Sequence, residues 1–212
     1  MNHWKTARTP WDTIVEMGYL TNLIYDYAKN WKIDKFDKLS EFFEQEENNA
    51  NLCSEDKTVL LSLKQRYPDG KILKFFSNEA DMQCVIGENP HKKRYTLVFR
   101  GSESVWDWLY DLMVIKTTIF SNVSVHRGFY KQLMNNQTYY KISQYMQVLI
   151  DRHPDWSWYV SGHSLGAALA TLSGFLYSRQ FPTQKFTVVS LASPRVGNSH
   201  FRDQFNNQPN LR

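Results

Sequence analysis

The residues of this chain that could do chemistry gather in one short run, Gly162-His163-Ser164-Leu165-Gly166. An apolar stretch from Trp156 to Ser161 leads into it, and a small-residue helical pattern from Leu165 to Ser178 follows without a linker. A Gly-x-Ser-x-Gly run between a strand and a helix is the pattern of a nucleophile elbow. The turn is so tight that its serine takes strained backbone angles. Gly162 and Gly166 leave room for neighbouring backbone, and Ala167 and Ala168 let the helix lie close on the sheet. The serine hydroxyl then stands above the strand end. The Leu165 amide sits at a helix N-terminus, where partial positive charge favours a developing oxyanion. This arrangement suits acyl transfer through a serine ester, with Ser164 as nucleophile. His163 adjoins Ser164 on the wrong side of the turn to serve as its base, and a packing role is expected for it.

A serine hydroxyl is a weak nucleophile unless an imidazole takes its proton and a carboxylate orients the imidazole. On a fold with this elbow the chain order is serine, then Asp or Glu, then His. After Ser164 the only carboxylate is Asp203 and the only histidine is His200. They stand in the reverse order, three apart, on what reads as a surface helix. The acid and base of a triad are therefore not expected among residues 1–212. The sequence reads as the front part of a hydrolase, incomplete at its C-terminal side, and residues 1–212 alone are expected to be nearly inactive.

The elements that must position Ser164 can be read from periodicity. Lys71 to Phe76, Met82 to Ile86 and Arg94 to Phe99 read as strands parted by turn signals. Ile142, Tyr145, Met146 and Leu149 mark a helix from Thr138 to Arg152. The strand before Ser164, the helix after it and a strand from Phe186 to Leu191 form a βαβ unit, whose two strands should be parallel. The expected fold class is α/β, with a central, mostly parallel sheet flanked by helices. Residues 1–70 read as a helical segment packed on the same domain, and residues 71–212 as the α/β core. Within that first segment Ile14, Met17, Thr21, Ile24, Tyr25 and Ala28 fall on one helical face. Phe36 to Phe43 and Val59 to Tyr67 suggest two further helices, the last ended by Pro68-Asp69-Gly70.

Composition narrows the classes. With 42% hydrophobic and 22% charged residues the chain is an ordinary globular protein rather than a disordered one. The net charge of +4 is spread out, and its densest run, Lys92-Lys93-Arg94, reads as a solvated loop rather than a nucleic-acid patch. Cys53 and Cys84 match neither a metal spacing nor a disulfide framework. No metal and no cofactor are expected. Neither a signal-peptide core nor a membrane-spanning stretch is visible, so a soluble chain is expected, and the cytoplasm is one compartment that suits it.

Three further motifs accompany the elbow. They are Val98-Phe99-Arg100-Gly101-Ser102-Glu103-Ser104 with Asp107, Trp108 and Asp111, then Val125-His126-Arg127-Gly128-Phe129, and then Ala192-Ser193-Pro194-Arg195-Val196-Gly197-Asn198. Taken in order with Gly162 to Gly166, they resemble the fungal-lipase-like family, or class 3 lipases, within the α/β-hydrolase fold. The resemblance spans about residues 70–205. It implies that the Ser102 backbone N–H is one oxyanion donor, with Leu165 N–H as the second. It implies a lid near Trp106, Trp108 and Leu109, where an amphipathic core helix is the other reading. His126 would support the site without moving a proton, and Arg195 and Asn198 would be architectural.

The expected function is a serine lipase that hydrolyses acylglycerols or related acyl esters through an acyl-enzyme on Ser164. Its partner would be a lipid or acyl-ester substrate, with transient contact to a lipid surface. Two alternatives stand beside it. One is an inactive lipase-like module that binds lipid or a protein partner. The other is an esterase for soluble aryl or short acyl esters.

Overall fold

The computed structural model describes residues 8–30, 65, 70–101 and 115–212. Helix α1 runs over Trp11–Asn30. Three strands follow, β1 Lys71–Ser77, β2 Gln83–Asn89 and β3 Arg94–Phe99. A hairpin of β4 Lys116–Phe120 and β5 Val123–His126 leads into helix α2, Arg127–Met134. A single 3-10 turn joins α2 to helix α3, Thr138–Arg152. Then come β6 Ser157–His163, helix α4 Leu165–Gln180, β7 Phe186–Leu191 and helix α5 Ser199–Asn207. The expected helices at 36–43 and 59–67 lie outside the described residues, apart from Gln65, which is helical.

The main sheet has the order β1-β2-β3-β6-β7. It is mixed: β1, β2 and β3 pair antiparallel, while β3–β6 and β6–β7 are parallel. Every residue of β3 is buried, as a central strand covered on both faces requires. Alternation along β6 separates those faces. Trp158 and Val160 belong to the main core with Leu169, Leu172 and Phe175 of α4. Tyr159, Ser161 and His163 therefore point to the opposite face, the one that α1 covers.

Helix α4 is apolar on all sides and almost wholly buried, which marks an interior helix. Each fully buried Leu or Phe contributes roughly 1.5–3 kcal/mol of transfer free energy. Helix α1 is anchored differently. Glu16 is fully buried and bonds Arg94, and Lys92 Nζ reaches its other oxygen at 2.6 Å. Lys92 and Lys93 stand exposed in a turn, as a solvated loop would have them, but Arg94 departs from that expectation because it opens β3. Arg94 is 3% exposed, lies over the Tyr159 ring and carries the charge that lets Glu16 be buried. Cys84 is buried and unpaired, and burial pushes its thiol up. Cys53 lies outside the described residues.

The C-terminal residues return to the sheet. Leu211 forms a parallel bridge with Phe186, Asn210 O accepts from Phe186 N at 2.8 Å, and Arg212 O accepts from Val188 N at 2.8 Å. These residues lie on the outer edge of β7, where the sequence pattern asks for a neighbouring strand.

Candidate active site

Three strand ends converge at the carboxyl edge of the parallel strands, the edge where open α/β sheets bind ligands. They are the ends of β3, β6 and β7. Ser164 sits between β6 and α4 with φ 54° and ψ −120°. No L-residue adopts that conformation without strain. Its amide donates to Leu191 O at 3.0 Å, and its carbonyl accepts from Ala167 N at 3.0 Å. Two glycines allow the turn. A Cβ on Gly162 would overlap the Gly166 carbonyl and stand 2.8 Å from Ala167 N. A Cβ on Gly166 would overlap Phe99 O and stand 2.8 Å from the Arg100 carbonyl carbon. Helix α4 can thus touch β3 only because position 166 has no side chain.

Ser164 is 8% exposed, and among the described residues its hydroxyl has no hydrogen-bond partner. Leu165 is the first residue of α4, where an amide has no intrahelical acceptor. A serine hydroxyl and a positively polarised N–H are therefore side by side. That pairing suits attack on an acyl carbonyl whose oxygen becomes an anion.

Across the gap, β3 ends at Arg100 and Gly101. Arg100 is held by both oxygens of Asp81, at 2.9 and 3.0 Å. Its amide donates to Gln83 O at 2.9 Å. Gly101 has no room for a side chain, because a Cβ there would overlap the Tyr25 hydroxyl and stand 2.6 Å from His163 O. Tyr25 comes from α1.

Comparison with known proteins fits this geometry. Residues 96–211 match the family described as lipase (class 3). The chain belongs to that family. A lipase of Rhizopus niveus is 33% identical over 144 residues, covering 63% of this chain and 35% of the relative. Phospholipase A1-II 3 of Oryza sativa subsp. indica is 28% identical over 155 residues, covering 59% of this chain and 37% of the relative. The solved lipase of Rhizopus microsporus var. chinensis shares the fold, with a TM-score of 0.71 at 22% identity, covering 90% of this chain and 60% of that one. The chain thus spans about a third of the length of the curated relatives named here.

Several other residues of this class 3 lipase chain were singled out in the sequence. His126 ends β5, and both its ring nitrogens are buried, without a hydrogen-bond partner among the described residues. The ring packs on Phe129 at 4.2 Å, and burial lowers its pKa by disfavouring the charged form. Asn198 caps α5 by accepting from Phe201 N at 2.9 Å, and its amide group donates to Asn122 O at 2.8 Å. With His126 N donating to Val196 O at 2.8 Å, the loop after β7 is tied to the β4–β5 hairpin. Arg195 closes that loop on Gly197 O at 3.1 Å.

His200 and Asp203 lie on α5, both exposed, and Asp203 pairs with Arg202. His163 Nδ1 faces Tyr25, and His153 Nδ1 bonds Tyr95 at 2.7 Å, so no described histidine is bonded to Ser164. Ser102, Trp106, Trp108 and Leu109 lie outside the described residues. A cavity of about 580 Å³ lies among the described residues, away from Ser164. It opens beside the outer edge of β7, between Thr171, Val188, Phe201 and Arg212. Among the described residues no cluster of His, Cys, Asp or Glu could hold a metal, and no helix is long and apolar enough to cross a membrane. The sequence reading placed Tyr25 on the buried face of α1 but gave it no part in the site. Its only signal was that face.

Proposed function

We propose that Ser164 is the nucleophile of a lipase-type carboxylic-ester hydrolase acting on acylglycerols or related acyl esters. The observation that carries this reading is the backbone of Ser164 at φ 54° and ψ −120°, beside an uncapped helix N-terminus. Strain of about 1–3 kcal/mol persists only where surrounding structure enforces it, and such sites cluster at reacting centres. In the proposed reaction Ser164 Oγ attacks the acyl carbonyl while an imidazole takes its proton. The tetrahedral oxygen is held by the N–H groups of Leu165 and Ser102. Collapse breaks the ester C–O bond, and the imidazolium returns its proton to the leaving alcohol. Water, giving a proton to the same imidazole, then attacks the acyl-enzyme, and the acid leaves as Ser164 Oγ regains that proton. The names of the relatives, lipase and phospholipase A1, support an acyl ester of a lipid as substrate.

A second reading, a binding module without turnover, is favoured by the absence of any described histidine bonded to Ser164. One experiment separates the two. The natural gene product is assayed on emulsified tributyrin and on p-nitrophenyl butyrate, with Ser164→Ala beside it. Turnover that falls by about 10³-fold or more in the variant supports the hydrolase. Turnover that survives the substitution removes Ser164 from the chemistry. Full lipid binding with no turnover in either form supports the module. A jump in rate when substrate forms an emulsion would favour lipase over soluble esterase.

A further inference from the structure

We propose that Ala192 is a positioning residue for the same site, a turn that keeps the Leu191 carbonyl on the Ser164 amide. The proposal rests on the reading of Ser164 as nucleophile. Its basis is a match between two strand ends. Strands β6 and β7 run parallel, with Trp158 opposite Phe186 and His163 opposite Leu191. One step further along that register come Ser164 and Ala192. Both leave the extended backbone there, Ser164 at φ 54° and Ala192 at φ 51°. The bond from Ser164 N to Leu191 O, at 3.0 Å, joins the two strand ends.

A positive φ is ordinary for glycine and uncommon for alanine, whose Cβ crowds the following carbonyl. An alanine in that conformation is held there by its surroundings. They fix it from two sides. Upstream, the β6–β7 ladder holds Leu191, and Ser161 Oγ bonds Val189 O at 2.8 Å. Downstream, Val196 O accepts from His126 N at 2.8 Å, so the chain is pinned to the β4–β5 hairpin. Between the two lies Pro194, which lacks an amide donor for a ladder and restricts Ser193 before it. The chain has to turn out of the sheet at Ala192.

The turn matters for Ser164 because a peptide moves as a plane. The plane between Leu191 and Ala192 is oriented by the Leu191 ψ and the Ala192 φ together. Returning Ala192 to a negative φ, with its neighbours in place, rotates that plane and swings the Leu191 carbonyl off the Ser164 amide. That amide would then be a donor without its acceptor in a residue only 8% exposed. A serine with a loose amide loses the fixed direction of its Cα–Cβ bond, and with it the aim of Oγ. A reacting atom misplaced by about 1 Å can cost about 10²-fold in rate. Ala192 is itself exposed, so substitutions there change the backbone preference with little change to the core.

The test compares Ala192→Val, Ala192→Gly and Ala192→Asn in the natural gene product, with Ser164→Ala beside them. Glycine and asparagine accept a positive φ, and valine, branched at Cβ, resists it. kcat and KM are measured on p-nitrophenyl butyrate, and amide hydrogen exchange is followed at Ser164. In Ala192→Val we expect kcat to fall about tenfold, KM to stay within about twofold, and the Ser164 amide to exchange faster. Ala192→Gly and Ala192→Asn should keep kcat within about twofold of the parent, and Ala192→Gly should melt about 2 °C higher. A kcat within about twofold of the parent in Ala192→Val, or an unchanged Ser164 exchange rate there, overturns the proposal. So does a tenfold loss of kcat in Ala192→Gly or Ala192→Asn, or a melting temperature that Ala192→Gly fails to raise. Those last readouts decide the matter even where Ala192→Val does not fold. Turnover surviving Ser164→Ala would sink the nucleophile reading itself, and the serine variant reports that separately from the alanine series.

Discussion

The elbow at Ser164 and helix α1 reach the same corner of the sheet by different physics. The elbow is shaped by its immediate neighbours. Gly162 and Gly166 leave space for backbone, and Ser164 takes the strain between them. Helix α1 is placed by side chains that meet residues far along the chain, such as Thr21 with Ser161, Tyr25 with His163 and Glu16 with Arg94. The first kind of constraint is steric and local, so it leaves a short pattern in the sequence. The second is polar and distant, so each partner looks ordinary until both are placed.

If the elbow is held by sterics against β3, Gly166→Ala should be the most damaging single change. Its Cβ would meet Phe99 O and the Arg100 carbonyl, which belong to a central strand and cannot give way. A loss of at least about 3 kcal/mol is expected from urea denaturation. A loss below about 1 kcal/mol would mean that α4 and β3 separate easily.

Helix α1 should respond to charge instead. Glu16→Gln leaves Arg94 buried without its carboxylate, at a cost of about 3 kcal/mol. Hydrogen exchange should quicken in α1 before it does in β6 and α4. Uniform quickening would show that α1 and the core open as one unit.

A smaller effect, of opposite sign, is expected at position 164. Ser164→Gly removes the Cβ from a positive-φ position and should raise stability by about 1 kcal/mol while turnover is lost. Unchanged or lower stability would show that the turn is not strained.

The weakest effect concerns pH. Burial depresses the pKa of His126 in the folded protein, so folding disfavours its protonated form. Its stabilising share is complete above the unfolded histidine pKa of about 6.5 and is lost as pH falls from there through the folded value. His126→Phe should flatten that part of the stability–pH curve. An unaltered slope would mean that His126 does not resist protonation.

The same contrast explains how much was legible in the sequence. Helix α3 and strand β7 have the bounds that periodicity gave, because Ile142, Met146 and Leu149 line one buried side and Phe186 to Leu191 is a near-continuous apolar run. The hairpin β4–β5 was not visible. Lys116–Phe120 alternates between exposed and half-buried residues, and its main apolar residues are Ile119 and Phe120. Helix α2 was hidden by its length, since only Phe129 and Leu133 are buried in it. The sheet proved evenly mixed because β1 and β2 return as an antiparallel meander, and strand direction leaves no mark on composition. Arg94 reads as surface charge because its partner, Glu16, lies on α1.

The central claim is that the strained serine is the reacting group. Treating the natural gene product with a fluorophosphonate and mapping the adduct by peptide mass spectrometry tests it most directly. The account predicts one adduct, on the peptide carrying Ser164, and none in Ser164→Gly. An adduct on another serine with Ser164 unmodified, in protein that turns over ester, would contradict it.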